Sequence, residues 1–226
     1  MNVTLLPSGK SIATIEGDTH IGKWAIEAGR LDHDQNMLPL LRPYIPEGGA
    51  VIDIGAYIGD HTVFYAECVG DFGWVYAFEP NSDAFDCLEY NTADLGNVFA
   101  VKVGVSDRAS SIGLAISVNG GATYATPDGN LPCIDIDSFA PLWVDFIKMD
   151  CEGMEPKALK GAEKTILTYL PTMLIEINRA ALERQGETES TIFAMLDAWG
   201  YSYRNIYAEQ PMKGEQYDIL CTPPAR

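Results

Sequence analysis

From about residue 50 onward, short apolar runs alternate with amphipathic stretches. Such alternation predicts a parallel sheet covered by helices, because parallel strands need a crossover between them. Two runs, Val144–Asp150 and Met173–Ile177, are nearly continuously apolar, as strands covered on both faces should be. We therefore expect an α/β fold with a seven-stranded, mostly parallel sheet and helices on both faces. The seven strands are predicted at 50–56, 74–79, 99–105, 144–150, 173–177, 201–206 and 217–221.

Some segments lie outside this alternation or interrupt it. Residues 1–48 are expected to form an N-terminal appendage that lies over the sheet as a substrate lid, and residues 49–226 the main domain. Within that domain, glycines at 108–140 predict a hairpin-rich insertion. Apolar residues recur at the helical period over 156–170 and predict a helix there. The length of 226 residues suits one α/β domain.

Charge and cysteine content argue against several classes of function. With 15 Lys and Arg against 32 Asp and Glu, the formal net charge of −17 would repel a phosphate backbone, so we expect no nucleic-acid partner. No apolar run approaches the roughly 18 residues of a membrane span, and the start of the chain lacks the apolar core of a secretory signal. The five cysteines form no CxxC pair and predict buried thiols in a reducing compartment. We therefore expect a cytoplasmic protein with a small-molecule substrate and no membrane partner.

The first predicted strand ends in VIDIG and leads into a glycine-bearing turn and a helix. A dinucleotide fingerprint beginning at Gly55 would need glycines at 57 and 60, where the sequence has Tyr57 and Asp60. What remains is Asp53, Gly55 and Gly59. This pattern suits S-adenosylmethionine, which has a ribose, a carboxylate and a sulfonium but no phosphate. A strand–helix turn that binds nothing is the alternative interpretation.

The next two strands also end in polar residues. Glu79 lies 20 residues beyond Gly59, about where an acid binds ribose hydroxyls in such folds. Ser106 and Asp107 end the third strand, where we expect the adenine ring. Because ligands of open α/β sheets bind beyond the carboxyl ends of the strands, all three are predicted cofactor-binding residues.

The segment DFIKMDCEGMEPKALKGA at 145–162 resembles the FkbM-type methyltransferases. The family pattern is an apolar strand ending in I-K-x-D, followed by x-E-G-x-E and a helix. VIDIGAYIGDHT, AFEPN, VSD and CIDIDSF match other family blocks in the same order, over about 50–222. The resemblance implies a Rossmann-like class I methyltransferase fold, S-adenosyl-L-methionine as cofactor and O-methylation of a sugar or natural product. Tyr57 departs from the family, where Asn is common, and predicts a stacking or gating contact. The residues that match the D-x-E-G-x-E pattern are Ile147, Lys148, Asp150, Glu152, Gly153 and Glu155.

Three carboxylates are candidate catalytic residues. Asp150 ends the fourth strand, where cofactor and acceptor should meet, and it is also a candidate cofactor contact. Glu152 follows it near a helix start, and a favourable interaction with the helix dipole is the alternative role for Glu152 and Glu155. Glu176 and Asn178 share a face of the fifth strand, and Asn178 is a predicted substrate contact. Asp150, Glu176 and Asn178 together offer oxygen ligands for magnesium, although the resemblance implies no metal.

Three histidines, His20, His33 and His61, are candidate bases near neutral pH. His20 lies beside Trp24 in a segment that could fold across the acceptor pocket, and both are predicted substrate contacts. His61 is expected to pack or cap in the helix after the glycine turn. Two other classes of function stay open: an oxidoreductase with a nucleotide cofactor, and a catalytically silent cofactor-binding module.

Overall fold

The computed structural model describes residues 1–32, 34–115 and 123–225. The strands are β1 (Asn2–Leu5), β2 (Ser11–Thr14), β3 (Ala50–Ile54), β4 (Trp74–Phe78), β5 (Val98–Val101), β6 (Gly104–Val105), β7 (Ser110–Ala115), β8 (Tyr124–Ile134), β9 (Phe146–Met149), β10 (Thr172–Asn178), β11 (Ser202–Asn205) and β12 (Gln216–Thr222). The helices are α1 (Ile21–Ala28), α2 (Leu38–Leu41), α3 (Asp60–Val69), α4 (Ser82–Thr92), α5 (Ile136–Phe139), α6 (Glu155–Gly161), α7 (Glu163–Tyr169), α8 (Arg179–Arg184) and α9 (Glu189–Ala198). Two short 3-10 turns occur at Arg42–Tyr44 and Gly70–Phe72.

The main sheet has seven strands in the order β11-β12-β10-β9-β3-β4-β5. Neighbouring strands from β10 to β5 are parallel, whereas β12 runs antiparallel to both of its neighbours. The predicted seven-stranded, mostly parallel sheet is therefore confirmed. Strand order reverses between β3 and β9, because the chain proceeds from β3 to β4 on one side and later adds β9 on the other. Ligands of such sheets bind at this point, beyond the carboxyl ends of the strands.

Apolar side chains bury both faces of this sheet, so helices cover it on both sides. On one face, Ile52, Ile147 and Ile175 pack against α6, α7 and α9. On the other face, Val51 and Phe146 pack against the side chains of α2 and α3. On this second face, the strands have polar residues near their carboxyl ends, and the candidate site lies at that edge of the sheet.

The N-terminal residues form a β1–β2 hairpin followed by α1, and they pack on α4 and on the loop after β3. Asn91 on α4 connects this N-terminal segment to the main domain. Its side chain accepts a hydrogen bond from the Ala13 N–H at 2.7 Å and donates to the carbonyls of Ala13 and Ile58. No helix in the described part of the chain is long and apolar enough to cross a membrane.

Two predicted elements differ from the structure. The predicted strand 99–105 is divided, because a tight turn, in which the Val103 N–H donates to the Val101 carbonyl, ends β5. β6 then pairs with β8 in a separate three-stranded sheet that also contains β7. The predicted helix 156–170 is divided into α6 and α7 at Ala162, whose φ of −113° is not helical. The insertion predicted at 108–140 contains β7, β8 and α5, with residues 116–122 outside the described part.

Candidate active site

A cavity of about 510 Å³ lies at the carboxyl edge of β3, β4, β9 and β10. This volume is in the ordinary range for small-molecule sites. Apolar residues from β4, β6, β7 and β8 form one side, including Phe78, Val105 and Leu114. Polar residues from the ends of β9, β10 and β12 form the other. The sequence-predicted edge residues Gly55, Tyr57, Glu79, Asp150, Glu152, Glu176 and Asn178 all line this cavity.

The turn after β3 depends on glycine. Gly55 has a φ of +77°, and a Cβ at this position would lie 1.8 Å from the backbone oxygen of Asp150. The N–H groups of Gly55 and Ala56 both donate to the carbonyl of Phe78, which ties the turn to the end of β4. Gly59 also has a positive φ, +90°, and directly precedes α3. The turn therefore brings the ends of β3, β4 and β9 into close contact.

A buried charged network lies under this turn. Lys148 on β9 donates through Nζ to the carbonyl of Gly55 at 2.6 Å. The same Nζ is 3.6 Å from Oδ1 of Asp53 and 3.5 Å from Oδ2 of Asp150. Asp53 is fully buried and accepts a hydrogen bond from the Thr62 hydroxyl at 2.7 Å. Asp53 thus lies beneath the cavity instead of lining it, and its place among the cofactor contacts stays a prediction.

Electrostatics keep Lys148 charged in this network. Burial alone lowers the pKa of Lys148, but the carboxylates of Asp150 and Asp53 raise it well above its ordinary value. Asp150 itself is partly exposed to the cavity. Sequence reasoning quoted Lys148 as part of a family motif but gave it no role. Its signal was available, because a lysine flanked by Phe146, Ile147 and Met149 is unusual in a strand expected to be covered on both faces.

Glu79, at the end of β4, is buried and lines the cavity. Its two carboxylate oxygens accept hydrogen bonds from the backbone N–H groups of Tyr57 at 2.9 Å and Asn81 at 2.7 Å. Burial raises the pKa of Glu79 to about 7, although these hydrogen bonds and Lys148 oppose the shift. The carboxylate is thus held in one orientation beside the glycine turn, as a ribose-binding acid requires.

Tyr57 connects the glycine turn to the N-terminal segment. Its hydroxyl donates to Oδ2 of Asp18 at 2.9 Å, and burial raises the pKa of Tyr57 well above its usual value. Asp18 also accepts the backbone N–H groups of His20 and Gly22 at the start of α1. His20 and Trp24 line the cavity and form an edge-to-face pair with ring centres 5.5 Å apart. The N-terminal segment therefore forms part of the cavity wall.

The turn after β9 is stabilised by an acid at the start of α6. Oε1 of Glu155 accepts backbone hydrogen bonds from Cys151 at 2.8 Å and Gly153 at 3.3 Å. Glu152 has a φ of +53°, which directs this short turn. Its carboxylate is 3.4 Å from Arg184, while burial, followed by the charge of Asp150, raises the pKa of Glu152 to about 7. Glu155 thus stabilises the turn, and Glu152 faces the cavity.

Glu176 and Asn178 lie at the end of β10. Oε1 of Glu176 accepts a hydrogen bond from the Gln216 side chain at 2.5 Å, whereas Oε2 is buried with no hydrogen-bond partner among the described residues. Burial and neighbouring carboxylates, Asp150 first, raise the pKa of Glu176 well above its ordinary value. The Asn178 side chain caps α8 by accepting the Ala181 N–H at 3.1 Å. Gln216, which sequence reasoning missed, also lines the cavity.

Four other candidate residues have different surroundings. Ser106, which directly follows β6, is buried, and the carboxylate of Asp107 lies 3.6 Å from Nζ of Lys160. Neither residue lines the cavity. His61 lines the cavity and contacts the hydroxyl of Tyr65 at 3.4 Å. His33 lies outside the described residues.

The described residues contain no group of three or more His, Cys, Asp or Glu side chains placed to hold a metal ion. The magnesium alternative therefore has only a mixed set of two carboxylates and an amide, from Asp150, Glu176 and Asn178. Lys148 already lies beside one of those carboxylates, Asp150. A cation at this position would therefore compete with an ammonium group.

The chain matches the family model described as the methyltransferase FkbM domain over residues 53–203. A curated relative, hexuronic acid methyltransferase AglP of Haloferax volcanii, is 28% identical over 157 residues, which are 64% of this chain and 62% of that protein. The crystal structure of methyltransferase FkbM from Methylobacillus flagellatus KT has a TM-score of 0.53 at 18% identity, covering 76% of this chain and 43% of that chain. Aeropyrum pernix fibrillarin in complex with natively bound S-adenosyl-L-methionine has a TM-score of 0.51 at 12% identity, over 97% of this chain and 92% of that chain. The chain thus spans less than two thirds of the curated relative, and the solved structures show the shared fold.

Proposed function

The chain belongs to the FkbM methyltransferase family, and on that premise we propose that it transfers a methyl group from S-adenosylmethionine to a hydroxyl of a sugar or similar polar small molecule. The observation that carries the proposal is the convergence of the glycine turn, Glu79 and Asp150 on one cavity. A sugar acceptor is supported by the name of the archaeal relative, a hexuronic acid methyltransferase. We further propose a cytoplasmic location.

The residues present fit this cofactor. Glu79 faces the cavity with a carboxylate oriented by two N–H donors, and it would accept the ribose hydroxyls. Apolar residues such as Val105 and Met154 line the adjoining side and would contact the adenine. Gly55 lines the cavity at this turn and would lie beside the methionine portion.

When bound, S-adenosylmethionine supplies a methyl group whose carbon–sulfur bond breaks as the acceptor oxygen bonds to the carbon, with S-adenosylhomocysteine leaving. We assign the proton of the acceptor hydroxyl to the carboxylate of Asp150, which is open to the cavity and held 3.5 Å from Lys148. Glu152, Glu176 and Asn178 line the same wall and would bind the acceptor. His20 and Trp24, in the proposed lid of residues 1–48, would cover it.

Calorimetry with S-adenosylmethionine, followed by detection of S-adenosylhomocysteine with a panel of sugars, tests the proposal. We expect binding, and turnover that falls roughly 10²–10⁴-fold in Asp150→Asn with cofactor affinity kept. A folded sample that does not bind the cofactor would refute the proposal. Binding without turnover on any acceptor would instead favour the silent cofactor-binding module. The family match favours methyl transfer over the oxidoreductase alternative.

A further inference from the structure

Acidic side chains outnumber basic ones in the described part of the cavity wall. Among the described residues, five carboxylates line the cavity, from Asp60, Glu79, Asp150, Glu152 and Glu176, and the single lysine or arginine is Lys148. Residues 116–122, ISVNGGA, lie outside the described part of the chain and include no charged side chain. The Lys148 ammonium already has three partners: the carbonyl of Gly55 and the carboxylates of Asp53 and Asp150. A carboxylate on an acceptor would therefore meet other carboxylates, with no free lysine or arginine among the described lining residues to bind it.

Glu176 is the cavity-lining acid that has a buried oxygen without a hydrogen-bond partner among the described residues. The residue is only 7% exposed, yet Oε2 has no hydrogen-bond partner among the described residues. The residue opposite it on β12 is another acid, Asp218, and burial raises the pKa of Asp218 to about 7. No ion pair in the described part of the chain includes Glu176. Oε2 thus lacks a donor although Oε1 accepts from Gln216, and buried polar atoms normally have at least one partner.

We propose that the acceptor carries an amino group, which binds as an ammonium against Glu176, while a neighbouring hydroxyl receives the methyl group. This inference rests on the proposed function. The cofactor does not account for the charge, because β9 separates the glycine turn of β3 from Glu176 on β10. S-adenosylmethionine has a net charge of +1, and this charge together with that of Lys148 is still smaller than the number of carboxylates in the wall. An ammonium supplies the missing donor and the missing charge together.

Matched acceptors test this proposal. In the glucose, galactose and mannose series, the methyl glycoside, its uronic acid and its 6-amino derivative differ in the charge at one carbon. We expect kcat/KM to be about 10- to 100-fold higher for the amine than for the neutral sugar in at least one series, and lowest for the uronic acid. Mass spectrometry should place the methyl group on oxygen.

A charge-neutral variant locates the effect. Glu176→Gln should reduce the amine-to-neutral ratio of kcat/KM about 10-fold or more, whereas Glu47→Gln, exposed before β3 at the opposite edge, should leave that ratio unchanged. Melting temperatures establish that both variants fold. The inference would be overturned if the enzyme prefers the uronic acid, or if kcat/KM is equal for the three matched acceptors. It would also be overturned if Glu176→Gln has the same amine-to-neutral ratio of kcat/KM as the wild type. An enzyme that binds S-adenosylmethionine but methylates no amine would overturn it as well. Loss of cofactor binding in the wild type would instead refute the proposed function.

Discussion

Replacing Lys148 by methionine should destabilise this protein strongly, because the change leaves a buried charge without its partner. Asp53 is fully buried, and its Oδ1 has no hydrogen-bond partner among the described residues apart from the ion pair with Lys148. Breaking a buried pair by removing one member costs about 3–5 kcal/mol. For a domain of this size, that loss corresponds to a decrease in melting temperature of roughly 6–20 °C.

A double-mutant cycle separates lost charge pairing from lost packing. Asp53→Asn alone should cost about 1–3 kcal/mol, since Lys148 keeps Asp150 and the Gly55 carbonyl as partners. In the double variant Lys148→Met with Asp53→Asn, the buried carboxylate is gone, and the total should be about 2 kcal/mol less than the sum of the single changes. Urea unfolding followed by circular dichroism gives all three free energies.

A surface pair provides the matched control. Lys102 lies 3.4 Å from Asp86, and the two side chains are 40% and 58% exposed. Lys102→Met should therefore cost about 1 kcal/mol or less. The reasoning fails if Lys148→Met costs no more than this control, or if the cycle is additive within about 0.5 kcal/mol.

Three further changes have defined outcomes. Gly55→Ala should lower the affinity for S-adenosylmethionine at least about 10-fold by calorimetry, because the added Cβ would clash with the backbone oxygen of Asp150. Gly186→Ala is the control: Gly186 has a similar φ of +74°, but no atom lies within 4 Å of an added Cβ, so the affinity should not change. Burial raises the pKa of Glu79 to about 7, so the folded state binds more protons than the unfolded chain between pH 5 and 8, and stability should fall as pH rises through 7. In Glu79→Gln, the free energy of unfolding from urea titrations should depend less on pH over this range. The same pH dependence in the variant and the wild type would contradict the raised pKa of Glu79. Tyr57→Phe removes the hydrogen bond to Asp18 and should lower the free energy of unfolding by about 0.5–1.5 kcal/mol. It should also speed proteolysis within residues 1–48. An unchanged cleavage rate would show that this hydrogen bond does not hold the N-terminal segment against the turn.

Apolar periodicity was sufficient to predict most of the main sheet. Every predicted strand overlaps a strand of the structure, because central strands such as β9 are covered on both faces and their sequences show it. The division of 99–105 was not visible, since apolar residues continue at alternate positions, Val101, Val103 and Val105, as in a single strand. What ends β5 is a local backbone turn and the pairing of β6 with β8, which begins some 20 residues later in the chain. Pairing between distant segments leaves no periodic signal in either segment alone.

The site shows a similar limit, and Asp53 illustrates its cause. The sequence predicts the edge at which Asp53, Glu79 and Asp150 gather, because strand ends converge there whatever the side chains do. Which of these acids lines the cavity depends on how each side chain packs. Asp53 is fully buried beside Thr62 and Lys148, whereas Glu79 lines the cavity although both of its oxygens accept backbone hydrogen bonds. Glu155 and Glu176 each have one carboxylate oxygen without a hydrogen-bond partner among the described residues, but only Glu176 lines the cavity, so it is the unsatisfied acid within reach of a substrate.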